Sequence, residues 1–174
     1  MSYRNRAFLI FPVLAATTFF LTTACKKSSY PTTPPDAALS ATIADTSWTV
    51  YYNTAIYYQS RGFFEVNGVS AGTKADSSYL QLVFSAPIQL NKTISTDSTF
   101  SVEYYDLLGN FDWGAGTNSG DGVSYLKVTS YESVNHKIAG TFTGSLSSGM
   151  SGASYTDTVK LTNGEFNLTY TTQP

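Results

Sequence analysis

The chain reads as an all-β protein: an antiparallel β-sandwich, with a flattened β-barrel as the alternative. Three observations predict this. Charged residues make up only 13% of the sequence, while tyrosine and phenylalanine number 13 and 11, so strand formers outweigh the charged helix formers. Apolar and polar residues alternate with a period of two in segment after segment, and no helical period is sustained beyond residue 24. Clusters of Gly, Ser, Asn and Asp separate these segments at the short intervals of a strand meander.

The elements follow in order. Trp48 to Tyr52 opens the domain. Ala55 to Gln59 and Gly62 to Val66 come next, the second ending at Asn67-Gly68, a strong turn signal. Tyr79 to Phe84 is a strand closed by Pro87; Ile88 to Ile94 is a weaker one; Phe100 to Tyr104 alternates cleanly. Asn110 to Gly122 is rich in turn formers and reads as a loop. Tyr125 to Tyr131 carries Leu126 and Val128, and Lys137 to Leu146 sets Ile138, Gly140, Phe142, Gly144 and Leu146 on one face. Ser147 to Ser154 is a turn. Thr156 to Thr162 points Val159 and Leu161 inward, Asn163-Gly164 turns or bulges the strand, and Phe166, Leu168 and Tyr170 resume the apolar face.

The first 24 residues stand apart from this pattern. Arg4 and Arg6 precede an apolar run from Ala7 to Leu21, which is short and threonine-rich for a membrane span of ~20 residues. A small residue, Ala24, then precedes Cys25, the sole cysteine. Leu21-Thr22-Thr23-Ala24-Cys25 resembles the lipobox of bacterial lipoproteins, departing from it at Thr22, with the leucine one place further back. The resemblance implies cleavage before Cys25 and lipidation of its thiol, and an exported domain has no other use for one unpaired cysteine. Residues 1–24 are therefore a signal peptide. Residues 25–39, with prolines at 31, 34 and 35, form an extended tether, and residues 40–174 form a single β-domain.

Loss of Arg4 and Arg6 with the leader takes the formal charge from −2 to −4. That balance argues against a nucleic-acid partner. The membrane is reached through the N-terminal lipid, with Lys26 and Lys27 beside it.

Tyr125-Leu126-Lys127-Val128-Thr129, Lys137-Ile138-Ala139-Gly140-Thr141-Phe142-Thr143-Gly144 and Val159-Lys160-Leu161-Thr162-Asn163-Gly164-Glu165-Phe166 form a pattern: a strand, a Gly-Thr-Phe strand and a closing Thr-Asn-Gly-x-Phe strand. Together with the early Trp48, it resembles a group of small Bacteroidetes lipoproteins of unknown function. The resemblance spans about residues 45–170. It implies a cell-envelope address and transfers no activity and no site residue. Surface-exposed lipoproteins of that phylum often carry an acidic run after the cysteine. Lys26-Lys27-Ser28-Ser29 stands there instead, which points to the outer membrane with the domain facing the periplasm.

The residues needed for catalysis are sparse. His136 is the single histidine and falls in a turn, Ser133 to Lys137, where a solvated role is expected rather than that of a general base. No Gly-x-Ser-x-Gly elbow occurs, and one histidine without a free thiol does not make a zinc site. Asp106, Asp112 and Asp121, with Glu103, Asn110 and Asn118, are the one group able to bind calcium or to hydrolyse a glycoside, though their spacing fits no calcium loop. No metal and no cofactor are expected.

The aromatic doublets Tyr51-Tyr52, Tyr57-Tyr58, Phe63-Phe64 and Tyr104-Tyr105 place neighbours on opposite faces of a strand. One member can fill the core while the other faces out. Tyr52, Tyr58 and Tyr105 are the candidate binding residues; the opposite phase selects Tyr51, Tyr57 and Tyr104. The expected function is a lipid-anchored, non-catalytic envelope domain that binds a glycan or a protein. A lipocalin-like carrier of a small apolar ligand is the alternative, and a carboxylate-dependent glycoside hydrolase a third reading.

Overall fold

The computed structural model describes residues 38–70, 77–97, 99–106, 111–116, 122–148 and 158–174, with the side chains of Asp106 and Phe111 excepted. The segment expected to be a signal peptide, Cys25 and the expected tether up to residue 37 lie outside the described residues.

Among the described residues the protein is all-β, with twelve strands and no helix. They are β1 (Leu39–Ile43), β2 (Thr46–Thr49), β3 (Tyr52–Tyr58), β4 (Phe63–Ser70), β5 (Ser78–Ser85), β6 (Thr93–Ser95), β7 (Phe100–Asp106), β8 (Phe111–Ala115), β9 (Val123–Glu132), β10 (Lys137–Ser148), β11 (Thr158–Thr169) and β12 (Thr171–Gln173). Hydrogen bonding runs along one open path, β12-β3-β4-β5-β7-β8-β10-β11-β1-β2, with β9 on β10 and β6 on β9. The path folds over into two layers. The first is β12-β3-β4-β5-β7-β8; the second is β6-β9-β10-β11-β1-β2. They join where Ser147 and Ser148 of β10 pair with Gly114 and Trp113 of β8, while the rest of that edge of β10 pairs with β9. The chain also changes layer at Val50-Tyr51. The Val50 amide donates to Leu39 in the second layer and the Tyr51 amide to Val69 in the first. The strands pair antiparallel except for β12 against β3, and an isolated bridge between Ala115 and Gly122 is also parallel.

The core lies between the layers, and the alternation read from the sequence builds it. Phe64 and Val66 of β4, Leu80, Leu82 and Phe84 of β5, and Phe100 and Val102 of β7 are all buried. They meet Leu126 and Val128 of β9, Ile138, Phe142 and Leu146 of β10, and Leu161, Phe166 and Leu168 of β11. The Phe84 and Phe166 rings pack across the gap with centroids 6.2 Å apart. Asn163, at φ 51°, lies where β11 shifts register against β10, so Asn163-Gly164 bulges the strand and Phe166 stays on the inner face.

Five sequence expectations are corrected. Asn67-Gly68 does not turn: β4 runs through it to Ser70 because Gly68 faces the core, where a Cβ would lie 2.5 Å from Leu39 Cδ2. Glycine is there for close packing, and β4 ends later, at Ser70; the turn before it, Gln59 to Gly62, has Gly62 at φ 66°. Trp48 to Tyr52 is not one strand; the layer change at Val50-Tyr51 divides it into β2 and β3. Ile88 to Ile94 is mostly a crossing segment, and only Thr93–Ser95 is strand, paired with β9. Phe111–Ala115, within the stretch read as loop, is strand β8, because β7 supplies a partner for its backbone despite its turn-forming composition. At the domain's start, Leu39, placed last in the tether, is fully buried and pairs with Phe166, so the folded part includes it.

Leu39 and Phe166 thus hold the second layer against the first. Leu39→Ala is expected to cost about 2–5 kcal/mol and Phe166→Ala about 3–5 kcal/mol in urea unfolding, through the cavities they leave. Val134→Ser, at a residue 91% exposed on the β9–β10 turn, is the control and should change stability by less than about 0.5 kcal/mol.

Candidate functional site

Because Phe64, Val66, Leu80, Leu82 and Val102 point inward, the residues between them must point out. The registers line them up in rows across the outer face of the first layer. One row is Tyr52, Val69, Tyr79, Tyr105 and Asp112; the next is Thr54, Asn67, Gln81, Glu103 and Gly114; a third is Ile56, Glu65, Val83 and Ser101; a fourth is Tyr58, Phe63 and Ser85. The middle is mainly polar, with Ile56 and Val83 in its third row, and aromatic rings border it on both sides.

A hydrogen-bond network fixes the polar middle. The Tyr79 hydroxyl donates to Asn67 Oδ1. Gln81 Nε2 donates to the same oxygen at 3.0 Å and to the Tyr79 hydroxyl at 3.1 Å. Asn67 Nδ2 donates to Glu65 Oε1 at 2.6 Å and to Thr54 Oγ1 at 3.4 Å. The Tyr105 hydroxyl donates to Glu103 Oε2, and its ring lies 5.7 Å from that of Tyr79. These side chains are half-buried against one another, so their rotamers are held before any ligand arrives.

Carboxylates dominate the electrostatics. Burial, then the charges of Glu65 and Glu103, push the Tyr79 hydroxyl up to about 12. Burial, the hydrogen bond to Glu103 and that carboxylate's charge raise Tyr105 as well. Asp112 is raised by burial first and by Glu103 second, and its Oδ1 is buried without a hydrogen-bond partner. On the same face, among the described residues, the registers place no lysine or arginine.

Tyr52, Tyr58 and Tyr105 all lie on this face. Tyr52 is 62% exposed at one end of the Tyr79–Tyr105 row. Tyr58 sits at the opposite border, its ring 4.8 Å from Phe63. The alternative phase falls inside: Tyr57 and Tyr104 pack against the core, and Tyr51 occupies the layer change. The sequence reading missed Glu65, Asn67, Tyr79 and Gln81. The signal was present in the alternation of β4 and β5, but taking Asn67-Gly68 as a turn cut it short.

The carboxylate group is only partly assembled. Asp112 stands in β8 beside Tyr105 and one row from Glu103. Asp106 pairs its backbone with Phe111 and its side chain is not described; Asp121, Asn110 and Asn118 lie outside the described residues. Among the described residues no three His, Cys, Asp or Glu side chains are placed to hold a metal ion. His136 is exposed in the β9–β10 turn at φ 53°, its ring stacked 5.1 Å from Tyr170.

Two recesses flank the segment after β5. One, of about 240 Å³, is lined by Phe84, Pro87, Ile88, Lys92, Leu126 and Val128. The other, of about 450 Å³, is more open and is bordered by Tyr57, Phe64, Ile88 and Tyr131. Neither is an enclosed chamber. No protein-family model, no curated protein and no solved structure matches the chain.

The raised Asp112 carboxyl has a consequence for stability. The native state holds its proton to higher pH than the unfolded chain, whose value is near 3.8, so ionising it destabilises the fold as pH rises through the native pKa. Asp112→Asn should therefore raise the melting temperature at neutral pH. The gain should shrink toward zero below about pH 4, as read by thermal melts across the acid range.

Proposed function

We propose that this is a lipid-anchored, non-catalytic envelope domain that binds a glycan through the outer face of the first layer. In this reading it is one of the small Bacteroidetes lipoproteins, held at the outer membrane by Cys25 and facing the periplasm.

The observation that carries the reading is the composition of that face. Tyr52, Tyr79 and Tyr105 share one row, and Asn67, Gln81, Glu65 and Glu103 stand beside it in a fixed network. Sugars offer flat C–H faces, which stack on aromatic rings, and hydroxyl groups, which pair with amides and carboxylates. A protein partner of the usual size favours an apolar centre with a polar rim. Here the centre is mainly polar, Ile56 and Val83 apart, and the borders aromatic, which suits a sugar better. The carrier reading must rely on open recesses beside a core filled by Phe64, Phe84 and Phe166. Hydrolysis of a glycoside needs two carboxyl groups flanking one bond, one of them a proton donor. Glu103 accepts from Tyr105 on a sheet face, which suits holding a sugar better than cleaving one.

Two experiments test this. Affinity electrophoresis against envelope polysaccharides should show binding that falls about tenfold in Tyr52→Ala and Tyr105→Ala, with melting temperatures within about 3 °C of wild type. Unchanged binding in both variants sinks the face; no polysaccharide binding at all sinks the glycan. Separately, Cys25→Ser should abolish metabolic lipid labelling and release the protein from the membrane fraction. Wild-type fractionation and processing of that variant would refute the anchor.

A further inference from the structure

We propose that the smaller recess beside the segment after β5 binds a short-chain alkyl carboxylate, its tail against the end of the core and its head on Lys92. The site lies apart from the first layer's outer face and does not depend on glycan binding. Residues 86–92 cross from the first layer to the second and are pinned near both ends. The Ala86 amide donates to the Gly62 carbonyl at 2.8 Å, and the Asn91 amide to the Val128 carbonyl at 2.8 Å. Between these points Ile88 packs against the core, while Gln89 and Leu90 are exposed. The recess of about 240 Å³ is lined by this segment. Phe84 comes to it from the first layer, Leu126 and Val128 from β9, and Ile94 from β6.

The lining sorts by chemistry. Phe84, Leu126 and Val128 belong to the core, and Ile88 and Ile94 pack against it. These side chains offer water no hydrogen bond, so an alkyl chain displaces it with a gain. A water takes about 30 Å³ of liquid, so the space suits about eight non-hydrogen atoms. Among the described residues Lys92 is the one charged side chain in the lining; it is exposed and no carboxylate pairs with it. Asp97, outside the lining, is held by the Thr99 amide and hydroxyl, each at 2.7 Å. An ammonium at the rim of an apolar recess meets a carboxylate head and leaves the tail inside. A neutral alcohol forgoes that attraction, and an alkylammonium is repelled. A peptide's apolar terminus matches less well, because it brings amide groups that need partners. Pro87 has no amide hydrogen, and the Ala86, Asn91 and Lys92 amides already donate to backbone carbonyls.

Calorimetric titration of the full-length protein, with each ligand below its micelle concentration, compares octanoate, octanol, octylammonium and acetate. Octanoate should bind most tightly and octanol about fivefold more weakly, the scale of one exposed ion pair. Octylammonium should be weaker still, acetate should show no binding, and the gap between octanoate and octanol should narrow in high salt. Lys92→Gln should bring octanoate down to the level of octanol and leave octanol unchanged. Lys92→Glu should reverse the order of octanoate and octylammonium. Ile88→Ser should weaken octanoate and octanol alike. Because Lys92 is exposed, both of its variants should melt within about 3 °C of wild type, and they decide the matter if Ile88→Ser does not fold. Failure of octanoate to bind, or equal affinity for octanoate and octanol in the wild type, overturns the proposal. So does octanoate binding that both Lys92 variants, or a folded Ile88→Ser protein, leave unchanged. Tighter binding of N-acetyl-leucyl-leucine than of octanoate assigns the recess to a peptide terminus and overturns the ligand class.

Discussion

Phe64 is the ring on which the two layers turn. It is fully buried, stacks on Tyr57 at 4.5 Å and on Phe84 at 5.5 Å, and meets the edges of Tyr131 and Tyr170 at 5.8 and 5.3 Å. Two of these partners belong to its own layer and two to the other. Rings of this size dominate core energetics, and their offset and edge contacts add ~0.5–1.5 kcal/mol each beyond area burial. Once Phe64 points inward, strand geometry leaves no freedom for its neighbours. Glu65 must point out, as must Asn67, and through the β4–β5 and β5–β7 registers so must Gln81, Tyr79, Glu103 and Tyr105. The chemistry of the outer face follows from which residues the core admits.

That face costs stability where it concentrates charge. Asp112 and Glu103 repel one another, Asp112 leaves an acceptor unmet, and the tyrosine hydroxyls are held against carboxylates. A sheet that needed only to cover its core would do better with threonine there. The second layer shows the contrast: its outer row Thr93, Lys127, Thr141 and Glu165 mixes both signs of charge with hydroxyls. Like charges gathered beside an unmet carboxylate oxygen on one outer face are the kind of local inconsistency that marks a binding surface.

The alternation in β5, β7, β9, β10 and β11 was legible in the sequence because each is long, amphipathic and bounded by turn residues. That each doublet divides between faces was legible for the same reason, but the phase was not; the strand registers put Tyr52, Tyr58 and Tyr105 outside. What the sequence hid were the places where tertiary packing overrides local preference. Asn67-Gly68 has turn chemistry, yet Gly68 is needed where Leu39 and Trp48 press on the sheet. Phe111–Ala115 is too rich in turn formers to stand as a strand alone, and β7 makes it one. Leu39 follows a proline-rich stretch that masks its role in the core. For Gly68 and Leu39 the partner that decided the matter lies far away in sequence, as Trp48 does from Ser78, which its indole N–H reaches at 2.8 Å; for β8 it is the strand just before it.

The same topology relates the chain's entry to the face. The chain enters the described domain at Ala38, whose carbonyl accepts from Asn167 in β11, and passes at once into β1 of the second layer. The tyrosine and carboxylate rows belong to the first layer, across the core from that point. A ligand on those rows therefore does not have to displace the strand by which the chain joins the fold.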